Sequence, residues 1–264
     1  MENVIVVTSG KGGVGKTTTT ANLGVGLAAC GKSVVLIDTD IGLRNLDVVL
    51  GLENRIVFDL VDVVEGTCKL RQALIKDKRY DKLFLIPAAQ TRDKMAVSPE
   101  QMKAIVEELK ANFDYVLIDC PAGIERGFQN AVAGANSAIV VTVPEVSSVR
   151  DADRIIGLLS ASDINDVRLL INRLDMDLVK KGDMLAIDDT LEILGIDLIG
   201  VVPEDKLILR SSNLGEPAVT DQKSRAGMAY RNVVQRILGK DIPLMDLKEK
   251  VSFGARLRKM FGGN

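Results

Sequence analysis

The sequence predicts an α/β fold in which a mostly parallel, twisted sheet carries helices on both faces. Short apolar, β-branched runs recur along the chain, and helix-like stretches lie between them. Within these runs the apolar residues are consecutive, which is typical of strands that are buried on both faces. The predicted strands span residues 4–8, 33–38, 83–87, 115–119, 138–143, 167–172 and 197–202, and the predicted helices span 16–30, 99–112, 128–135, 149–160 and 183–194.

The composition excludes several classes of chemistry. The 264 residues include 34 Lys and Arg against 36 Asp and Glu, which gives a net charge of −2 and no overall electrostatic reason to bind nucleic acid. The chain contains no histidine. Ser-His-Asp catalysis, Cys-His catalysis and imidazole metal sites are therefore excluded.

The cysteines and the apolar runs bear on location. Cys30, Cys68 and Cys120 form no C-x-x-C pair, and so sparse a set fits a reducing compartment. No basic-then-apolar leader opens the sequence, and no apolar run approaches the ~18–20 residues of a transmembrane helix. We therefore expect a cytoplasmic protein whose contact with a membrane is peripheral.

A phosphate-binding loop follows the first predicted strand and opens a predicted helix. Residues 10–17 read G-K-G-G-V-G-K-T and match G-x-x-x-x-G-K-[ST] without a mismatch, which predicts a P-loop NTPase. The glycines let backbone N–H groups turn toward phosphate oxygens, and the helix N-terminus adds its dipole. We expect Lys16 to contact the β- and γ-phosphates and the Thr17 hydroxyl to ligate Mg²⁺. The candidate binding residues of this loop are Gly10, Lys11, Gly12, Gly13, Val14, Gly15, Lys16 and Thr17.

Acidic residues at the ends of two other predicted strands complete the expected metal site. Asp119 ends a buried run, where a P-loop protein places the carboxylate that holds the Mg²⁺ shell. Asp38 and Asp40 follow another strand. One interpretation places Asp38 in the second shell of the metal and Asp40 at the attacking water; the alternative is that these acids cap the next helix.

The residues around the loop carry a specific resemblance. The segment from Lys11 to Thr18 has a second lysine near its start and resembles the deviant Walker A motif of the ParA/MinD family of P-loop ATPases. D-T-D at 38–40 and D-C-P-A-G at 119–123 match the other two nucleotide-site segments of that family. The match extends from residue 1 to about residue 239.

This resemblance implies an ATPase with ATP and Mg²⁺ as ligands and with slow hydrolysis until a partner stimulates it. It implies an ATP-dependent homodimer in which Lys11 of each subunit reaches the phosphates bound by the other. It further implies that Lys16, Thr17 and Thr18 hold phosphates and Mg²⁺, and that Asp40 positions the attacking water. From spacing alone, Lys11 could equally be a solvated loop lysine.

The expected base site lies at the end of another predicted strand. I-N-R-L-D at 171–175 is physically similar to the N-K-x-D guanine reader of GTPases, with arginine in place of lysine. In the resembled family an asparagine at this strand end contacts adenine, and a loop like 202–205 closes over the base. We expect ATP because Lys11 places the chain among the ATPases, although the motif alone does not exclude GTP. The expected base-contacting residues are Asn172, Arg173, Pro203, Glu204 and Asp205.

The C-terminal residues predict a short basic amphipathic helix, of the kind that lies in the interface of an anionic bilayer. Its apolar side chains follow the i, i+4, i+7, i+8 spacing of one helical stripe, and its basic side chains fall beside or opposite that stripe. A helix packed on the core is the alternative. We expect a P-loop ATPase domain at 1–240, a connector at 241–251 and the membrane-targeting helix at 252–264. The candidate membrane-contacting residues are Phe253, Leu257, Met260, Phe261, Arg256, Arg258 and Lys259.

Together, the resemblance and the tail imply an ATPase that positions the bacterial division site. It would recruit a division inhibitor to the inner face of the cell membrane, and hydrolysis would release it. Expected partners are a second copy of the chain, an anionic membrane, the inhibitor and an activating or topology-determining protein, with no specific nucleic acid. The alternatives are a ParA-type DNA-partitioning ATPase, which needs a basic surface and no amphipathic tail, and a flagellar-number-regulating ATPase, which typically carries an extra N-terminal motif.

Overall fold

Eight strands form one sheet in the computed structural model, which describes residues 1–93 and 96–247. The strands are β1 (Val4–Thr8), β2 (Val34–Asp38), β3 (Ile75–Lys76), β4 (Leu83–Ile86), β5 (Tyr115–Asp119), β6 (Ser137–Thr142), β7 (Asp166–Leu174) and β8 (Asp197–Pro203). Their order across the sheet is β3-β4-β2-β5-β1-β6-β7-β8. Neighbouring strands are parallel except β3 and β4, which are antiparallel.

Helices cover both faces of this sheet. In the described residues they are α1 (Lys16–Ala29), α2 (Leu46–Leu50), α3 (Leu60–Val64), α4 (Leu70–Ala73), α5 (Pro99–Lys110), α6 (Arg126–Val132), α7 (Val146–Ala161), α8 (Met176–Lys181), α9 (Ile187–Leu194), α10 (Leu207–Asn213) and α11 (Arg225–Ile237). One apolar cluster joins α1, α2 and α11 to the sheet, and a second joins α5, α6 and α7 to the opposite face.

The side chains of β1 explain why its apolar residues are consecutive. Ile5 and Val7 belong to the cluster with α1 and α11, whereas Val4 and Val6 belong to the cluster on the other face. Because alternate residues of a strand point to opposite faces, a strand between two helical layers needs apolar residues at every position. The predicted α/β class with a mostly parallel sheet is confirmed for the described residues.

Some elements differ from the sequence prediction. The short strand β3 was not predicted. Helix α11 was missed although its buried side chains follow a helical spacing. The other helices that were not predicted are α2, α3, α4, α8 and α10. The predicted helix at 183–194 begins only at Ile187. All seven predicted strands are present, with boundaries that shift by up to two residues.

The strand order places the acidic strand ends beside the glycine-rich loop. β1 lies between β5 and β6, and the chain moves to one side of β1 first and to the other side later, which makes this a topological switch point. Asp119 is paired in register with Val7 of β1 and with Asp38 of β2. The carboxyl ends of three adjacent strands therefore meet where a ligand crevice is expected.

After α11 the chain turns back and lies against that helix. Arg236 donates hydrogen bonds to the carbonyl oxygens of Ile242 and Pro243, both at 2.8 Å. Arg225, at the start of α11, donates to the carbonyl oxygen of Leu247 at 3.2 Å. The first part of the predicted connector is therefore fixed to the domain and ends beside the N-terminus of α11.

The predicted amphipathic helix at 252–264 lies outside the described residues, as does the rest of the connector. Within the part of the chain that the structure describes, no helix is both long and apolar enough to cross a bilayer.

Candidate functional site

The glycine-rich loop between β1 and α1 is held by the end of β7. Gly13 and Gly15 have φ angles of 77° and 101°, in the left-handed region that favours glycine. The Asn172 amide nitrogen donates to the Val14 carbonyl oxygen at 2.7 Å. A Cβ on Gly15 would overlap with that amide nitrogen, so the loop approaches β7 closely only because residue 15 has no side chain.

Lys16 is a nearly buried ammonium group at the start of α1. It is 7% exposed, and its Nζ donates to Ser9 Oγ at 2.9 Å. Burial lowers the pKa of Lys16, and the negative charges of Asp119 and Asp40 oppose that change. The amine therefore lies close enough to the acidic strand ends to interact with them electrostatically.

Asp38 and Asp119 are buried side by side at the ends of β2 and β5, each 1% exposed. The two Asp38 oxygens accept hydrogen bonds from the backbone N–H groups of Asp40 (2.9 Å) and Leu46 (3.2 Å). Asp119 Oδ1 accepts a hydrogen bond from Thr20 Oγ1 at 3.0 Å. Because Leu46 is the first residue of α2, Asp38 also fixes the N-terminus of that helix.

Negative charge is concentrated at the ends of β2 and β5. Burial, followed by the charge of Asp119, raises the pKa of Asp38 to about 7. Burial also raises the pKa of Asp119 to about 6, although hydrogen bonds from Thr17 and Thr20 and the charge of Lys16 lower it. Asp40 adds a further negative charge to this cluster. A cation bound here would relieve the repulsion between these carboxylates.

The donor set suits a magnesium ion that shares its shell with a phosphate ligand. In the described residues, no group of three or more His, Cys, Asp or Glu could hold a metal ion alone. Mg²⁺ is usually bound by one or two carboxylates together with waters and substrate phosphates. Asp119 and the Thr17 hydroxyl, which are hydrogen-bonded to each other, fit that pattern, and Asp38 lies beside them.

A cavity of about 490 Å³ opens beside Gly15 and Thr18. The expected base-contacting residues at the ends of β7 and β8 all line it, and α10 and Tyr230 complete its walls. This volume lies within the usual range for small-molecule sites. The residues of β7, β8 and the loop after β8 that line the cavity are Asn172, Arg173, Pro203, Glu204, Asp205 and Lys206.

Asp205 lines this cavity and holds its wall together through hydrogen bonds. Its carboxylate accepts hydrogen bonds from Leu207 N (2.9 Å), Ser224 Oγ (2.8 Å) and Ala226 N (3.1 Å). Burial alone would raise the pKa of Asp205, but these hydrogen bonds outweigh it and the pKa is lowered. The carboxylate therefore ties the loop after β8 to α10 and α11.

Asp175, which matches the acid of the guanine-reader pattern, is used as a helix cap. Its Oδ1 accepts hydrogen bonds from the N–H groups of Asp177 (2.8 Å) and Leu178 (3.3 Å) at the start of α8. Asp175 lines a neighbouring cavity of about 350 Å³, together with Lys11 and Glu145. It is not among the residues that line the cavity beside Gly15 and Thr18.

Lys11 lies on the outer side of the loop. Its side chain is 45% exposed, and Nζ is 3.4 Å from Glu145 Oε2 and 3.3 Å from Ser147 Oγ. An exposed ion pair of this kind contributes little to stability. The Lys11 side chain is therefore free to exchange these contacts for a stronger anionic partner at low energetic cost.

Comparisons with known proteins identify the family. Over 265 aligned residues the chain is 60% identical to the septum site-determining protein MinD of Bacillus subtilis, and the alignment covers 99% of both chains. The chain belongs to the MinD family of septum site-determining proteins. A family model described as "AAA domain" also matches residues 2–168.

Solved MinD structures have the same fold. The MinC:MinD cell division protein complex of Aquifex aeolicus contains a chain that is 50% identical with a TM-score of 0.86, covering 92% of this chain and 98% of that one. The MinD of Pyrococcus horikoshii, solved in complex with Mg-ADP, is 29% identical with a TM-score of 0.81, covering 90% and 96%. The family resemblance inferred from the loop and the strand ends is thus confirmed.

The structure adds polar partners that the sequence did not single out. Ser9 contacts Lys16, and Thr20, one turn after Lys16 on α1, contacts Asp119. The Tyr230 hydroxyl lies 3.2 Å from Thr19 Oγ1, and burial raises the pKa of Tyr230 to about 12. The four-residue spacing between Lys16 and Thr20 could have predicted that both lie on the same face of α1. The contact of Tyr230 could not be predicted because it depends on the missed helix α11.

Gly15→Ala should weaken phosphate binding and lower the free energy of unfolding. The substitution combines a left-handed backbone with an overlap on Asn172, whereas Gly31→Ala has a similar φ of 84° and no atom within 4 Å of its Cβ. We expect Gly31→Ala to cost about 1 kcal/mol and Gly15→Ala to cost at least twice that. Urea unfolding and ATP titration of both variants measure the difference. Equal stability and equal affinity of the two variants would contradict the assigned contact.

The stability of the nucleotide-free, Mg²⁺-free protein should depend on Asp38 and on pH. A carboxyl group with a raised pKa in the folded state binds more protons there than in the unfolded chain, so its contribution to stability decreases as pH rises from about 4 to 7. Each pKa unit corresponds to about 1.4 kcal/mol. Asp38→Asn should therefore be more stable than the wild type at about pH 7.5, with little difference near pH 4. Urea unfolding in EDTA checks this; identical pH profiles would show that Asp38 does not titrate abnormally.

Proposed function

We propose that this protein is an Mg²⁺-dependent ATPase of the MinD family that recruits a division inhibitor to the membrane and leaves it after hydrolysis. The observation that carries the proposal is the position of Lys16. Its nearly buried ammonium interacts electrostatically with Asp119 and Asp40, and its chain neighbours Gly15 and Thr18 line the cavity. A nucleotide bound along the glycine-rich loop places its phosphates at Lys16 and its base in the cavity beside Gly15 and Thr18.

The glycine-rich loop and the acidic strand ends have distinct roles in the proposed hydrolysis of ATP. The loop N–H groups and Lys16 bind the β- and γ-phosphates, and Thr18 borders the path toward the base. Thr17, Asp119 and Asp38 hold Mg²⁺, which neutralises charge on the phosphates. Asp40 orients a water for attack on the γ-phosphorus. The bond between that phosphorus and the β–γ bridging oxygen breaks, and ADP and phosphate leave.

Adenine rather than guanine is favoured by Asp175. Recognition of guanine through an N-K-x-D pattern requires a carboxylate aimed at the base, and the Asp175 carboxylate is used to cap α8. The complex of the Pyrococcus horikoshii relative with Mg-ADP supports the same choice.

Dimerisation is proposed through Lys11. The weak ion pair that Lys11 forms with Glu145 is exposed. A phosphate of the nucleotide bound by a second subunit can therefore replace Glu145 as the partner of Lys11. Each subunit would then supply a cation to the nucleotide of the other, comparable to a finger supplied in trans.

Membrane binding is proposed through the tail at 252–264. Full burial of the four apolar side chains of its stripe would contribute roughly 6–12 kcal/mol. Each basic residue near anionic lipid adds about 1 kcal/mol, and ordering about nine residues costs on the order of 1–2 kcal/mol each. Because these terms nearly cancel, one tail binds weakly, whereas two tails on an ATP-closed dimer gain about 10²–10⁴ in avidity.

The proposed location is the cytoplasm and the inner face of the cell membrane, with exchange between them governed by nucleotide. The contact of Arg225 with Leu247 brings residue 247 of the connector near the N-terminus of α11, which Asp205 links to the cavity. The MinC:MinD complex of Aquifex aeolicus supports a division inhibitor as the recruited partner. The net charge of −2 gives no support to a DNA-partitioning role.

Asp40→Ala should retain ATP binding and lose turnover. Removing a group that orients the attacking water typically costs about 10²–10⁴ in rate. Isothermal titration gives the affinity, and phosphate release gives the rate. Asp188→Ala, an exposed acid on α9, is the matched control and should behave like the wild type. Wild-type turnover by Asp40→Ala would remove the role assigned to Asp40.

Liposome sedimentation should show binding that requires both ATP and the tail. We expect the wild type to sediment with anionic vesicles in ATP, and to remain in the supernatant in ADP. Leu257→Glu should abolish binding in ATP because it places a charge in the apolar stripe. Leu244→Glu changes a leucine that is 49% exposed in the connector and should leave binding unchanged. The membrane proposal would be rejected if three samples sedimented equally: the wild type in ATP, the wild type in ADP and Leu257→Glu in ATP.

A further inference from the structure

Arg79 connects two helices that border different parts of the site. Its Nη1 donates to the Gly215 carbonyl oxygen at 2.7 Å, and its Nη2 donates to the Leu50 carbonyl oxygen at 2.9 Å. The same guanidinium pairs with Asp77 at 3.2 Å, and the Asp77 side chain is fully buried. Leu50 is the last residue of α2, and Gly215 follows α10, so one side chain fixes the ends of both helices.

The two helix ends also touch through their backbones. A Cβ on Gly215 would lie 2.5 Å from Gly51 Cα and 2.7 Å from Gly51 N, which leaves no space for a side chain. Both glycines have positive φ angles, 67° for Gly51 and 64° for Gly215. The end of α10 therefore cannot shift toward α2 without moving it.

The N-terminus of α2 and several residues along α10 reach the site. The first N–H of α2, that of Leu46, donates to Asp38 Oδ2 at 3.2 Å. Helix α10 contributes Ile208, Leu209 and Ser212 to the wall of the cavity beside Gly15 and Thr18, which is the proposed base cavity. The contact at Arg79 thus joins an element of the proposed base site to an element of the proposed metal site.

The segment between Asp38 and α2 is itself well fixed. The Gly42 N–H donates to the Ala89 carbonyl oxygen at 2.8 Å. Arg44 pairs with Asp47 at 3.0 Å, and Asp47 is 1% exposed. A displacement of α2 would therefore reach Asp38 rather than be absorbed by a loose loop.

We propose that Arg79 is a positioning residue that couples occupation of the base cavity to the geometry of Asp38. A base seated against α10 fixes the end of that helix, Arg79 and the contact between Gly51 and Gly215 hold α2 to it, and the first N–H of α2 orients Asp38. Because such coupling is reciprocal, the base and Mg²⁺ should each strengthen the binding of the other. The inference rests on the proposed ATPase function.

The test compares ATP with inorganic tripolyphosphate, which has no base, each with and without Mg²⁺. In the wild type, Mg²⁺ should tighten ATP binding about tenfold more than it tightens tripolyphosphate binding, within the usual range of coupling between sites. In Arg79→Gln the two enhancements should become equal. Arg79→Lys, which keeps the charge opposite Asp77 but cannot hold both carbonyl groups in the same planar geometry, should give an intermediate ratio.

Arg236→Gln is the matched control. Arg236 also donates to several carbonyl oxygens, including that of Ile199 at 2.8 Å, but these belong neither to α2 nor to α10. A structural role of Arg79 alone would lower the affinity for both ligands and leave the ratio of enhancements unchanged. If Arg79→Gln does not fold, as judged by circular dichroism, the ratio in Arg79→Lys decides.

The outcomes separate this inference from the function on which it rests. A wild type that binds neither ATP nor Mg²⁺–ATP contradicts the proposed function itself. A wild type that binds both, but with equal Mg²⁺ enhancement for ATP and tripolyphosphate, contradicts the coupling. The last outcome concerns the ratio of the Mg²⁺ enhancement for ATP to that for tripolyphosphate. If this ratio in folded Arg79→Gln equals that of the wild type, Arg79 does not carry the coupling. If only Arg79→Lys folds, the same conclusion is drawn from its ratio.

Discussion

The repulsion between buried carboxylates at the ends of β2 and β5 is the constraint on which the site depends. Parallel pairing in register places Asp38 directly beside Asp119, and the negative charge of Asp40 acts on both of them. Such an arrangement destabilises the ligand-free protein and is relieved when a cation arrives. Such a site suits a ligand that includes a cation, such as a nucleotide with bound Mg²⁺.

The surrounding fold keeps Asp38 and Asp119 away from water. Apolar residues fill both faces of the sheet, so the acids at its carboxyl edge have little water to screen them. Hydrogen bonds from the N–H of Leu46 and from Thr20 hold two of these acids in place. The carboxylates are therefore fixed before the ligand binds, which limits the ordering cost of binding.

Local patterns predicted the parts of the site that lie within a few residues of one another. The phosphate loop, the acidic strand ends and the strands themselves follow from short segments, because a turn or a buried strand imposes its requirements on consecutive residues. The family resemblance added the expected base-contacting residues, and these line one cavity. Their individual contacts with a base, and the trans role of Lys11, stay predictions.

Contacts between distant segments could not be predicted in this way. Arg79 reaches Leu50 and Gly215 across the sequence, and the Gly51–Gly215 contact depends on how α2 and α10 pack. The short strand β3 has too few residues for a periodic signal. The guanine-reader pattern ending at Asp175 was ambiguous because the same acid can cap a helix, and only the structure distinguishes these uses.

Proton release during ligand binding tests the central claim most directly. Since burial raises the pKa of Asp38 to about 7, its carboxyl group is largely protonated at about pH 6.5 in the ligand-free protein and must lose that proton when a cation binds. Calorimetry of preformed Mg–ADP binding in buffers of different ionisation enthalpy should therefore find net proton release in the wild type and a smaller release in Asp38→Asn. Equal release by the two proteins, or proton uptake by the wild type, would contradict this account.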